Sequence, residues 1–115
     1  DAHGTQGDGE LCGTALEMPA KGILKFSLIK GKKLHNVRIE NDEYIMCVGT
    51  AKPMEDAARM AYVDLIEWMG EYGWNKYDAF ECLTQAGEMY VGNMVDTFYS
   101  LVGKIKKEIV MRKKK

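Results

Sequence analysis

The fold is decided by residues 44–72, which read YIMCVGTAKPMEDAARMAYVDLIEWMGEY. The apolar run from Tyr44 to Val48 predicts a deeply buried strand, because a strand covered on both faces need not alternate. Pro53 suits the first turn of a helix, and apolar residues recur after it at steps of three and four as far as Tyr72. The stretch therefore predicts a buried strand followed by one long amphipathic helix.

A second helix is expected directly after the first. Asn75 with Asp78 three residues later is typical of a helix start, and Gly87 is placed to end that helix. Strand-like patterns lie on both sides of the helix pair: residues 15–18, 22–29, 34–40, 89–95 and 98–110. The second and third of these should form a hairpin. We therefore predict an α+β fold in which two helices cover one face of a mainly antiparallel sheet.

Composition excludes several classes of protein. With 46% hydrophobic and 29% charged residues in 115, the chain fits one globular domain and not a disordered tail. The net charge of −1 gives no overall attraction to nucleic acid or anionic lipid, and no stretch approaches the roughly 18 apolar residues of a membrane span. Three cysteines without CxxC spacing favour a reduced, cytoplasmic protein.

The chain divides into three parts by composition. Residues 1–13 are rich in glycine and predict a loop that carries the site, residues 14–111 predict the α+β domain, and residues 112–115 are a basic tail.

The opening loop concentrates the side chains that carry chemistry. Five polar groups occur within ten residues, separated largely by glycines: Asp1, His3, Gln6, Asp8 and Glu10. Carboxylates and an imidazole on such a loop have the composition of a divalent metal site. The same stretch is also typical of a solvated N-terminal arm in which Asp and Gly simply make turns, and the residues alone leave both interpretations open.

The loop also resembles part of a known family. Residues 1–20, DAHGTQGDGELCGTALEMPA, are similar to the signature segment of the acetamidase/formamidase family. Further similar blocks follow in the same order: LKFSLIKGK at 24–32, MEDAARMAYVDLIEWM at 54–69 and YDAFECLTQAGEMYVGNMVD at 77–96. The resemblance extends over nearly the whole chain up to about Tyr99.

The resemblance implies hydrolysis of the C–N bond of small linear amides such as formamide and acetamide. It implies that His3 is a ligand of a divalent metal, with zinc expected, that Asp1 and Asp8 are ligands or hydrogen-bond to ligands, and that Glu10 is the general base. Gln6 is expected to bind the amide or to orient the attacking water. Family chains are considerably longer, so the resemblance also implies a C-terminal portion completed by the N-terminal portion of the same enzyme. Six methionines suggest packing groups at a contact within a homo-oligomer: Met46, Met54, Met60, Met69, Met89 and Met94.

Two other functions remain open at this point. Cys12 is a candidate nucleophile of a cysteine amidase, although its place at the start of a strand favours burial. A non-catalytic assembly module, in which the loop is only a connector, is the other. Cys47 and Cys82 lie in apolar patterns and are expected in the core.

Overall fold

The computed structural model describes residues 2–114, which form six strands, three α-helices and two 3₁₀ turns. The strands are β1 His3–Thr5, β2 Leu16–Glu17, β3 Arg38–Glu40, β4 Tyr44–Ala51, β5 Glu88–Asn93 and β6 Tyr99–Lys106. The helices are α1 Met54–Glu71, α2 Lys76–Ala86 and α3 Lys107–Val110, and the 3₁₀ turns are Asp8–Glu10 and Met111–Lys114. None of the helices within residues 2–114 has the length and apolarity that crossing a bilayer requires.

A four-stranded antiparallel sheet in the order β3-β4-β6-β5 forms the centre of the fold. In its central pair, Ile45 lies opposite Ile105 and Cys47 opposite Gly103. The side chains of Ile45, Cys47 and Ile105 are fully buried, whereas Met46 and Val48 are partly exposed. The expectation that β4 is buried on both faces is therefore wrong, because alternate side chains leave the covered face of the sheet. The predicted α+β class is confirmed.

Helix α1 supplies the cover for this face. Its buried residues Ala57, Ala61, Leu65 and Trp68 recur at steps of three and four, as the sequence predicts. The helix packs very close to β4, because a Cβ added to Gly49 would collide with the backbone carbonyl of Ala57.

Helix α2 packs beside α1 and has the predicted ends. The Asn75 side chain accepts hydrogen bonds from the backbone N–H groups of Tyr77 and Asp78, and the N–H of Gly87 donates to the Leu83 carbonyl. Leu83 joins the buried cluster formed by the sheet and α1. The prediction of two neighbouring helices over one face is therefore confirmed.

The predicted hairpin of residues 22–29 and 34–40 is wrong. Of these residues, 38–40 form a strand, while residues 19–34 form neither helix nor strand and are all exposed. The alternation of side chains is present, but no strand among residues 2–114 pairs with it. Periodicity reports which face of a strand would be buried and not whether a partner is there.

The strand predicted over residues 98–110 is shorter than expected. It ends at Lys106, where the chain turns into α3, and Val110 is fully buried at the end of that helix. The indole N–H of Trp74 donates to the Val110 carbonyl at 2.9 Å. The segment after β6 therefore packs against the start of α2 through Trp74 and Val110. The alternation of side chains in the sequence does not indicate this contact.

Candidate functional site

The predicted loop of residues 1–13 contains a strand. Its β1 pairs antiparallel with β2, and His3 lies opposite Glu17. The N–H of Met18 donates to the Ala2 carbonyl at 2.9 Å. The opening segment is therefore an ordered hairpin and not a solvated arm.

The 3₁₀ turn at the tip of this hairpin docks on the end of β5. The N–H of Met94 donates to the Gly9 carbonyl at 2.9 Å, and Gly9 is buried. Gly9 has a φ of +80°, and a Cβ there would lie 2.6 Å from Met94 Sδ. The backbone conformation favours glycine at this position, and a larger residue would also displace the Met94 side chain.

Glu10 is held by Asn93. The Asn93 side-chain amide donates to Glu10 Oε2 at 2.9 Å and to Asp96 Oδ2 at 2.8 Å, while its carbonyl accepts from the backbone N–H groups of Val95 and Asp96. The Glu10 side chain is 18% exposed, and its backbone has a positive φ of +50°. Glu10 is therefore anchored through one carboxylate oxygen, in a backbone conformation that non-glycine residues seldom adopt.

His3, Gln6 and Glu10 lie together. His3 Nδ1 is 2.6 Å from Gln6 Oε1 and 3.9 Å from Glu10 Oε1. Because Gln6 Nε2 donates to the Gly92 carbonyl at 3.4 Å, Gln6 Oε1 is the acceptor and Nδ1 of His3 carries the proton. In the neutral ring, Nε2 then has the free electron pair, and it faces Glu17 Oε1 at 3.9 Å.

Asp8 is engaged elsewhere. Its carboxylate accepts a hydrogen bond from the Tyr90 hydroxyl, and this hydrogen bond and the negative charge of Asp8 raise the pKa of Tyr90. Asp1 lies outside the described residues.

An open cleft of about 450 Å³ runs along the tip of the hairpin. It is lined by Gln6, Gly7, Asp8, Glu10, Leu11, Cys12 and Ala15. The cleft therefore joins most of the predicted polar groups with one thiol.

The three cysteines have different environments. Cys12 is exposed, so the expectation of burial at this position is wrong, and hydrogen bonds from the Thr14 side chain and backbone lower the pKa of its thiol. Burial raises the pKa of Cys47 to about 12 and also raises the pKa of Cys82. Cys12 is thus the thiol best suited to react, because the thiolate is the nucleophile.

The described residues do not by themselves form a metal site. Across residues 2–114, no three His, Cys, Asp or Glu side chains gather in a way that would hold a metal ion. His3 Nε2 and Glu17 Oε1 are donors of the type that zinc accepts, and they lie 3.9 Å apart. Glu10 lies on the Nδ1 side of the same ring and so faces away from that pair.

Sequence reasoning missed the residues that hold the site from β5 and the turn after it. Asn93, Tyr90 and Gly92 each bond to a residue of the opening hairpin, more than 80 positions away. The spacing of Asn93 and Asp96 indicates a turn in which an Asn side chain caps the backbone. Its second contact, to Glu10, depends on tertiary structure and leaves no local pattern.

A buried ion pair lies on the other side of the molecule. Arg38 on β3 donates to Asp64 on α1 at 2.9 Å and to Glu71 at 2.6 Å, and Asp64 is 1% exposed. The pair borders a second cleft, of about 370 Å³, that none of the predicted catalytic groups lines. Its arrangement ties β3 to α1 and points to a structural role.

A family model and a solved structure each match most of the chain. Residues 1–102 match the model of the acetamidase/formamidase family. The crystal structure of an acetamidase from Yersinia enterocolitica is similar, with 42% sequence identity and a TM-score of 0.83. That match covers 94% of this chain and 33% of the acetamidase, so the chain spans about a third of that protein's length. No protein among those with curated functions matches the chain significantly.

Proposed function

Because the chain belongs to the acetamidase/formamidase family, we propose that it contributes part of the active site of an enzyme that hydrolyses small linear amides. Formamide and acetamide are the substrates we propose, and the products are the carboxylate and ammonia. The observation that carries the proposal is the anchoring of Glu10 beside His3 and Gln6 at an open cleft. A solvated connector would not hold these side chains in fixed positions.

Glu10 is proposed as the general base. Its Oε2 is held by Asn93, which leaves Oε1 to accept a proton from a water molecule. The water oxygen then bonds to the amide carbon, the C–N bond breaks, and the proton passes from Glu10 to the departing nitrogen. Such proton transfer by a positioned carboxylate contributes about 10²- to 10⁴-fold to rate.

Gln6 is proposed as a positioning residue. Both ends of its amide are engaged, one by His3 and one by the Gly92 carbonyl. It therefore fixes the orientation and the protonated nitrogen of the His3 ring. This role differs from direct binding of the substrate, for which the second N–H of Gln6 Nε2 remains available.

His3 is proposed as a ligand of a divalent cation, zinc being the ion whose donor preferences fit best. A bound cation would lower the pKa of a water molecule toward about 7 and polarise the amide carbonyl. Metal-binding histidines usually donate their other ring N–H to an oxygen, and Gln6 Oε1 accepts from His3 Nδ1 in this way. Glu17 is the nearest further donor, and Asp1 or Asp8 are the other proposed ligands.

A second polypeptide segment is proposed to complete the site. The cleft of about 450 Å³ is large for an amide of three or four heavy atoms and is open to solvent. We propose that the N-terminal portion of the same enzyme, within a homo-oligomer, closes it. The chain alone is then expected to be inactive, since catalysis requires the reacting groups to be held within about 0.5 Å.

The test is ammonia release from formamide and acetamide. The chain is co-expressed with the part of the Yersinia acetamidase that lies outside the matched third, and the complex is compared with its Glu10→Gln variant. The expected result is activity in the complex and at least a hundredfold loss in the variant. Glu55→Gln, an exposed carboxylate at the start of α1, is the matched control and should keep full activity. Full activity of Glu10→Gln would overturn the proposal.

The cysteine mechanism is kept as a second candidate, because Cys12 lines the same cleft and has a lowered pKa. In that mechanism, Cys12 Sγ bonds to the amide carbon, ammonia leaves, and water hydrolyses the thioester. Cys12→Ser then abolishes activity, whereas a chelator leaves it unchanged. The general-base proposal expects the reverse pattern.

A further inference from the structure

Residues 19–34, which we call the arm, form an exposed segment outside the helices and strands. All sixteen residues are exposed, and apart from a turn at Lys30 and Gly31 no backbone hydrogen bond ties them to the other described residues. Water can bond to these exposed backbone groups, so the cost of this state lies in the apolar side chains that remain in solvent. No strand among residues 2–114 pairs with the arm, so its backbone is available to the edge of another sheet.

The side chains of the arm carry the pattern of a half-buried strand. Leu24, Phe26 and Leu28 alternate with Lys25 and Ser27, and the three apolar side chains are 76%, 87% and 79% exposed. Exposed apolar area of this kind is typical of an interaction site. A strand added to the edge of a sheet would bury these side chains and satisfy the backbone at once.

The arm is also strongly basic. It has five lysines and no acidic residue: Lys21, Lys25, Lys30, Lys32 and Lys33. Of these five lysines, Lys32 alone has an acidic partner among the described residues: Glu71, at 2.9 Å. The remaining lysines favour a partner that carries acidic side chains.

The comparison with the Yersinia acetamidase identifies the polypeptide that can cover the arm. The 6% of this 115-residue chain that is left unmatched amounts to about seven residues, fewer than the arm contains. The match therefore extends over much of the arm, within a protein that has about three times as much chain. A second copy of this chain would add none of that missing two-thirds.

We propose that the arm docks as a β-strand on an acidic sheet edge of the polypeptide that supplies the rest of the acetamidase-like fold. Its Leu24, Phe26 and Leu28 face enters the core of that polypeptide, and its lysines pair with carboxylates at the rim. The inference rests on the family assignment and the unpaired arm, and not on the chemistry proposed for Glu10.

The test uses the chain co-expressed with the part of the Yersinia acetamidase outside the matched third. We expect the two to co-purify at equal stoichiometry, and the arm amides to gain protection from hydrogen exchange that they lack in the free chain. Phe26→Glu should weaken binding at least tenfold, since a charge would enter an apolar pocket. Phe80→Glu, the same change at an exposed position of α2, is the matched control and should bind as the parent chain does.

If the second polypeptide is insoluble by itself, a single-chain chimera provides the same test. The matched third of the Yersinia acetamidase is replaced by this chain, and melting temperatures are compared. Phe26→Glu should lower the melting temperature of the chimera and leave that of the isolated chain unchanged, because Phe26 is exposed in it. Equal melting temperatures of the two chimeras would overturn the proposal.

Three further results would overturn it: a complex in which the arm amides exchange freely, self-association of the isolated chain that Phe26→Glu abolishes, or binding of the arm to anionic vesicles in place of the polypeptide. Glu10→Gln separates this proposal from the proposed function. That variant should form the complex normally whether or not it hydrolyses amides.

Discussion

The side-chain amide of Asn93 donates a hydrogen bond of 2.9 Å to Glu10 Oε2, across 83 positions of sequence. The same amide also binds Asp96, so Asn93 separates two carboxylates that would otherwise repel each other. We expect Asn93→Ala to reduce the free energy of unfolding by about 1–2 kcal/mol and to reduce amide hydrolysis by the completed enzyme by at least tenfold.

A matched control for Asn93 lies in the β3–β4 turn. Asn41 accepts backbone hydrogen bonds from Glu43 and Tyr44 in the same way but contacts no site residue. Asn41→Ala should lose similar stability in urea unfolding and keep its activity per folded molecule. Equal activities of the two variants would contradict a role of Asn93 in holding Glu10.

Gly9 and Gly7 should respond differently to the same substitution. Gly9→Ala places a methyl group 2.6 Å from Met94 Sδ and forces alanine into a positive φ, at a cost of about 1–2 kcal/mol. Gly7→Ala meets no atom within 4 Å and has a φ of −82°. Hydrogen exchange of the hairpin amides measures the difference, and equally fast exchange in both variants would show that docking on β5 does not hold the loop.

Cys12 should be alkylated faster than the other two cysteines. Its pKa is lowered by hydrogen bonds from the Thr14 hydroxyl and backbone, so its thiolate fraction rises at lower pH than that of a cysteine without such partners. Iodoacetamide labelling read by peptide mass should therefore reach half its maximal rate at a lower pH at Cys12 than at a cysteine in an unstructured peptide, and proceed at Cys47 only after unfolding. Thr14→Val should shift the Cys12 profile to higher pH, and an unchanged profile would rule out the hydroxyl as its cause.

The ion pairs of Arg38 and Arg59 should contribute very different amounts to the free energy of unfolding. Arg38→Met leaves the buried Asp64 carboxylate without its cation and should reduce the free energy of unfolding by about 3–5 kcal/mol. Arg59→Met breaks an exposed pair with Asp56 and should change it by less than about 1 kcal/mol. Urea unfolding of both variants at neutral pH measures the contrast, which would vanish if Arg38 were not buried in solution.

Gly49 sets the distance between α1 and the sheet. Gly49→Ala would collide with the Ala57 carbonyl and should reduce the free energy of unfolding by about 3 kcal/mol or prevent folding. Gly70→Ala, in open space on α1, should instead add about 0.5–1 kcal/mol through helix propensity. Thermal unfolding of the pair tests the close contact, and a harmless Gly49→Ala would disprove it.

Local patterns were sufficient where local forces decide the structure. The Asn75 cap, the end of α2 at Gly87 and the apolar stripe of α1 depend on neighbours within one or two turns, and each is found as predicted. Clustering of His3, Gln6 and Glu10 also follows from a short segment, because glycine permits the bends that gather them.

The remaining features depend on contacts that are distant in sequence. Residues 22–29 have the alternation of a strand, yet a strand exists only where a neighbour pairs with it. The sequence does not indicate Glu17 as a partner of His3, since their proximity follows from the β1–β2 register. Cys12 reads as buried by residue type, while the turn that exposes it is visible only in three dimensions.

The docking of Gly9 on the end of β5 also has a consequence for how the protein avoids polymerising. At one edge of the four-stranded sheet the hairpin bonds to Met94, directly after β5, and the opposite edge is β3, with only three residues. Edge-to-edge association of sheets into a fibre requires two long unpaired edge strands on every molecule. With the hairpin at the end of one edge and a short strand at the other, edge-to-edge addition is disfavoured, which favours finite particles over fibres.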